Sequence, residues 1–160
     1  MEINLSVKLD KLSDSEHKFI NRWARAFRAG HQEKDTAAYR LYQMTDNSKN
    51  KYGYAEAVKK LTISSVPFNC YVSLKMYIPN FKEDKTLCAL AEAIYNDVVK
   101  ADSRRELAKA ILDNLGAPDE LYEKITNDKY HVSAFVSTQN VYEYKGEERY
   151  KSMSINKNYW

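Results

Sequence analysis

Two segments of this 160-residue chain alternate apolar and polar side chains without a break, and a period of two admits only an extended strand with one buried face. In residues 2–9, Ile3, Leu5, Val7 and Leu9 share one side, and Glu2, Asn4, Ser6 and Lys8 share the other. In residues 68–78, Phe68, Cys70, Val72, Leu74, Met76 and Ile78 oppose Asn69, Tyr71, Ser73, Lys75 and Tyr77. Pro67 and Pro79 bracket the second segment, where a missing N–H does least harm. Strands of this kind need an apolar layer on one side and tolerate water on the other.

Helical periodicity fills much of the rest. A helix is predicted from about Ser15 to Ala29, opened by a capping box of Ser13 and Glu16 and stopped by Gly30. Its apolar arc holds Phe19, Ile20, Trp23, Ala24, Ala26 and Phe27, while Lys18, Arg22, Arg25 and Arg28 form an unbroken basic arc. A second helix is predicted at about 34–45. The polar stretch 46–53 reads as a loop, and 54–60 as a short helix. Asp84 caps a helix to about Lys100. Ser103 and Glu106 open another that ends at Gly116, and Pro118 suits the first turn of a third, running to about Thr126.

The last third returns to strand character at 129–138, 141–145 and 148–155. Gly146-Glu147 fits a type II′ hairpin loop, which pairs Tyr144 with Arg149 and Tyr142 with Lys151. One hairpin face then carries Tyr142, Tyr144, Arg149, Lys151 and Met153. The other carries Val141, Glu143, Lys145, Tyr150 and Ser152. Neither is apolar enough for a deep core, so the hairpin at about 141–155 is expected to protrude in part. This order of elements predicts an α+β fold: a single globular domain over 1–160, with a largely antiparallel sheet of about five strands and helices packed on one face.

Composition agrees with a packed chain, since 44% of residues are apolar and 29% charged, with only four Gly and three Pro. The net charge of +3 is unevenly spread: residues 1–80 carry 13 Lys and Arg against 8 Asp and Glu, and residues 81–160 carry 12 against 14. A bias of that kind indicates an anionic partner, or two halves that neutralise each other. Cys70 and Cys88 lack metal-ligand spacing and read as free core thiols, which favours a reducing compartment. The N-terminus has no basic segment followed by an apolar run, and no stretch nears the roughly 18 apolar residues of a membrane span. A cytoplasmic protein without membrane contact is expected.

Catalytic grammar is missing. The sequence contains no phosphate-cradling glycine loop, no nucleophile elbow and no H-E-x-x-H, and its four glycines are isolated. His17, His31 and His131 are scattered, so neither a metal nor a cofactor is expected. His131-Val132-Ser133 has the His-x-Ser/Thr form used in duplicate by two-histidine phosphodiesterases, but neither His17-Lys18-Phe19 nor His31-Gln32-Glu33 supplies the second copy.

The expected function is therefore binding rather than catalysis. Lys18, Arg22, Arg25 and Arg28 are candidates for contacting an anionic partner, a nucleic acid or nucleotide, assisted by the hairpin group of Tyr142, Tyr144, Arg149 and Lys151, where rings and cations interleave. Two other readings stand beside it. The basic arc is a solvated surface or docks on the acidic 113–123 region of its own chain. Alternatively, the chain is a protein-interaction module that meets an acidic protein surface or forms a homo-oligomer. By elimination, a chain of this size without catalytic grammar is then compatible with a phage or mobile-element inhibitor of a host system, or with an assembly subunit.

Overall fold

The computed structural model describes residues 1–9, 12–30, 35–51, 58–63, 70–78, 84–127 and 131–159. Its elements in chain order are β1 (Glu2–Leu9), α1 (Asp14–Ala29), α2 (Ala37–Lys51), β2 (Val58–Ile63) and β3 (Cys70–Tyr77). They continue with α3 (Lys85–Lys100), α4 (Arg104–Leu115), α5 (Asp119–Asn127), β4 (Val132–Tyr144) and β5 (Glu147–Tyr159). The fold is α+β, as the alternation of periods predicts.

The strands form one open sheet in the order β2-β3-β1-β4-β5, antiparallel at every step. β1 and β2 run parallel with β3 inserted between them, and β3 and β4 run parallel with β1 between them. Two β-α-β units are thus interleaved, the split βαβ or ferredoxin-like arrangement, with β5 added as a hairpin partner of β4. β1 is the middle strand. Ile3, Leu5 and Val7 pair with Met76, Leu74 and Val72 on one side and with Val136, Ala134 and Val132 on the other. All nine residues are essentially inaccessible to water.

The helices cover that apolar face. α3 lies against β4 and β5, α4 against β1 and β4, α1 against β2, and α2 against α3 and α4. Phe27 of α1 anchors the first two helices to each other, its ring 5.3 Å from that of Tyr39 and 5.1 Å from that of Tyr42. The intervening strand residues, such as Asn4, Ser6, Lys75 and Ser133, are partly or fully exposed. The sheet is therefore backed on one side and open on the other.

Local chemistry sets the helix ends. Ser13 Oγ accepts from the Glu16 N–H, and the Glu16 carboxylate accepts from the Ser13 N–H, so both halves of the capping box form. At the other end Gly30 has φ +80°, and a Cβ there would sit 3.1 Å from Tyr39 Oη. Asp84 Oδ1 accepts from the N–H groups of Thr86 and Leu87. The second capping box is modified: Ser103 Oγ accepts from the Glu106 N–H, but Glu106 Oε2 accepts from the N–H of Asp102 instead.

Several expectations are corrected. Residues 46–51 continue α2 instead of forming a loop; Tyr52 and Gly53 lie outside the described residues, as does most of the anticipated helix at 54–60. Residues 58–60 belong to edge strand β2, where pairing with β3 overrides a weak local helical pattern. The anticipated start at Phe68 also lies outside the described residues. The two strands read at 129–138 and 141–145 are one strand, β4, because β5 pairs with it continuously from Val132↔Tyr159 to Tyr144↔Glu147.

The turn is Lys145-Gly146, not Gly146-Glu147, with φ of +51° and +77°. Two positive values make it type I′, and the register shifts by two residues: Tyr142 opposes Arg149 and Asn140 opposes Lys151. A shift of two preserves which residues share a face, so the predicted faces survive the wrong pairing.

Leu5→Ala is expected to cost about 2–5 kcal/mol in urea unfolding, since β1 is packed from both flanks and cannot collapse onto the cavity. Lys145→Asn is expected to raise stability by about 0.5 kcal/mol, because asparagine tolerates the left-handed region better than lysine. An unchanged or lower urea midpoint would contradict the type I′ assignment.

Candidate nucleic-acid interface

Lys18, Arg22, Arg25 and Arg28 are all exposed along the outer side of α1. The capping box and the buried arc of Ile20, Trp23, Ala24 and Phe27 fix the rotation of the helix, and that rotation turns the cations to solvent. Arg25 Nε and Arg28 Nε donate back to the carbonyls of Asn21 and Ala24, which leaves the rest of each guanidinium presented outward. None of the four makes an ion pair with a carboxylate among the described residues; ion pairs there include Asp35–Arg40, Lys85–Glu148 and Glu147–Arg149. Docking of this arc on the 113–123 region is thereby overturned. Trp23 is 8% exposed and belongs to the core.

The hairpin half of the candidate site lies elsewhere. α1 packs on β2 at one edge of the sheet, whereas β5 is the other edge, about 19 Å away at four interstrand steps. Tyr142 and Arg149 do stand directly opposite each other, and Tyr142 and Tyr144 are 46% and 55% exposed. However, Arg149 is engaged by Glu147 at 2.5 Å, and Lys145 Nζ sits 5.4 Å from the Tyr144 ring centroid. Lys85 of α3 binds Glu148 and tethers the ribbon. The ribbon beyond Ser137 has no pairing with β1, and within 142–151 three carboxylates balance three cations. The eight candidate residues thus form two separate groups, and among the described residues the cations of the α1 group have no ion-pair partner, whereas those of the hairpin are balanced in number by its carboxylates.

Other reactive groups are placed as follows. Cys88 is buried in α3, and burial together with the carboxylates of Asp84 and Glu92 pushes its thiol above the usual range, which makes it a poor nucleophile at neutral pH. The Cys70 side chain lies outside the described residues. Among the described residues, no three His, Cys, Asp or Glu side chains gather as a metal site. No described helix is long and apolar enough to cross a membrane. His131 sits just before β4, partly exposed, its carbonyl accepting from the Lys8 N–H.

His17 is the surprise on α1. It is 8% exposed, inside the buried arc, and neither ring nitrogen has a hydrogen-bond partner. Sequence reading missed it because one polar residue barely alters the amphipathic pattern. It equally missed the alignment of Lys60 with Lys75, which depends on β2 being a strand.

Next to α1 is a cleft of about 250 Å³, lined by Leu12, Ser15, Glu16, Phe19, Ile20, Glu120 and Leu121. The two glutamates in its lining do not suit an anion. No known protein family matches the sequence, and no curated protein and no solved structure matches the chain.

A buried imidazole without partners costs the desolvation of two polar atoms and returns no hydrogen bond. His17→Leu is therefore expected to raise stability by about 1 kcal/mol in chemical denaturation; a loss of stability would show that the ring is partnered in solution.

Proposed function

We propose that this protein is a non-enzymatic binding protein whose helix α1 recognises an anionic partner, a nucleic acid or nucleotide. One observation carries the reading: four cations are exposed over about 15 Å of a single helix face, and no described carboxylate answers them. A row of that length suits several phosphates in succession better than one. The hairpin is no longer part of this site, because it stands at the far edge and its charges are internally balanced.

The binding energy of such a surface is dominated by release of counterions from the partner. If all four cations meet phosphates, the logarithm of affinity falls against the logarithm of salt concentration with a slope of about 3 to 4. The protein is expected to be retained on heparin and to bind mixed oligonucleotides at low salt. Charge reversal at Arg22→Glu, Arg25→Glu and Arg28→Glu is expected to abolish most of that retention while leaving the protein folded with a modestly lower thermal midpoint, since all three residues are exposed but Arg28 stands in the last turn of α1, where the helix dipole favours a cation. Equal retention of the reversed variant would refute the assignment of the site to α1.

The hairpin favours a second reading by a separate observation. Tyr142, Tyr144 and Tyr150 are 46%, 55% and 40% exposed on a projecting ribbon, and exposed tyrosine on a rigid support is a common protein-contact surface. Its partner would be a protein surface, and a hairpin variant lacking these rings would lose that partner without losing heparin retention.

A further inference from the structure

We propose that the open face of the sheet is a platform for single-stranded nucleic acid, with Phe135 stacking a base and Lys8 and Lys75 meeting phosphates. The inference rests on the reading of an anionic partner and goes beyond it by naming the strandedness of the ligand and a second surface.

The placement follows from alternation. Ala134 and Val136 are buried under the helices, so Phe135 between them faces the open side; Tyr77, between buried Met76 and Ile78, does the same and is 49% exposed. Register then lines up one row straight across the sheet: Lys75 opposes Asn4, Asn4 opposes Phe135, and Phe135 opposes Asn156. An aromatic ring flanked on both sides by amides can hold a base by its face and by its hydrogen-bonding edge together. Tyr77 is two strands and two residues away from Phe135, about 12 Å, within reach of neighbouring nucleotides of the same strand.

Charge favours the same occupant. Lys8 and Lys75 lie on this face, and Lys60 is aligned directly opposite Lys75 on β2. Cations on an otherwise polar face attract an anion lying over them. Where β4 pairs with β1, the one described carboxylate on this face is Glu2. Most of its remaining positions are Ser and Asn, too polar for the dry centre of a protein interface. A duplex fits poorly, since short side chains on a flat sheet cannot enter a groove and a ring stacks only on an unpaired base. β2 adjoins both α1 and the open face, so one strand can pass from the helix around that edge.

The test is fluorescence anisotropy of the full-length protein with a labelled mixed-sequence 12-nucleotide DNA, its RNA equivalent and the matching duplex. Single strands are expected to bind more tightly than duplex. Phe135→Ala should weaken single-strand binding about ten-fold and Phe135→Trp should retain it, while Lys75→Glu should weaken binding and lower the salt slope. A preference for duplex, or single-strand binding indifferent to both Phe135→Ala and Lys75→Glu, overturns the platform. If such binding still responds to charge reversal on α1, the function proposed for that helix survives. If no oligonucleotide binds, the platform fails, and heparin retention alone decides the α1 reading. Circular dichroism of each variant guards against misfolding; if Phe135→Ala misfolds, Lys75→Glu, at an exposed site, decides the matter alone.

Discussion

The packing of β1 between two antiparallel neighbours is the constraint on which the rest of the molecule depends. Its apolar side chains meet those of β3 on one flank and those of β4 on the other, and the helices close over all three. Because the period of a strand is two, burying Ile3, Leu5 and Val7 forces Asn4, Ser6 and Lys8 onto the opposite side. The same parity carries through the register to β3 and β4. One choice of face in eight residues therefore decides which residues of the three central strands meet the core and which meet water.

That choice also sorts charge. The basic excess of residues 1–80 belongs to β1, α1, α2, β2 and β3, and the sheet order gathers β2, β3 and β1 on one side. The acidic later half supplies β4, β5 and the helices packed against them. Lys157 ties β5 to the end of α3 within the later half: its ammonium donates to the carbonyls of Val99 and Ala101, at the C-terminal end of α3, where the helix dipole favours a cation. The halves meet through apolar burial, β1 and β4 pairing across the boundary between them. The cations of α1 are left for solvent or for a partner.

Much of this was legible in the residues. The caps at Ser13 and Asp84, the left-handed stop at Gly30 and the alternation of 2–9 are decided within a few neighbours, so local reading locates them to within a residue or two. β2 was not legible: VKKLTI lacks a clean period, and it becomes a strand because β3 offers it an edge. The hairpin turn failed for a related reason. Gly146 suits either of two turn types, and the choice was made by the length over which β4 and β5 can pair. The candidate site divided along the same line. The composition of each basic or aromatic group was visible, but the distance between the groups was not.

By itself the sequence determined the type and the amphipathic face of the strongly periodic elements, and gathered the cations of α1 on one arc, since each follows from periodicity and capping inside one segment. Only the tertiary structure decided which strands became neighbours, and with that the separation of α1 from the hairpin and the alignment of Lys75, Asn4, Phe135 and Asn156. The physical reason is that strand pairing is a contact between residues far apart in sequence. Its register is set by the burial of whole faces at once, and no local pattern records which partner will lie alongside.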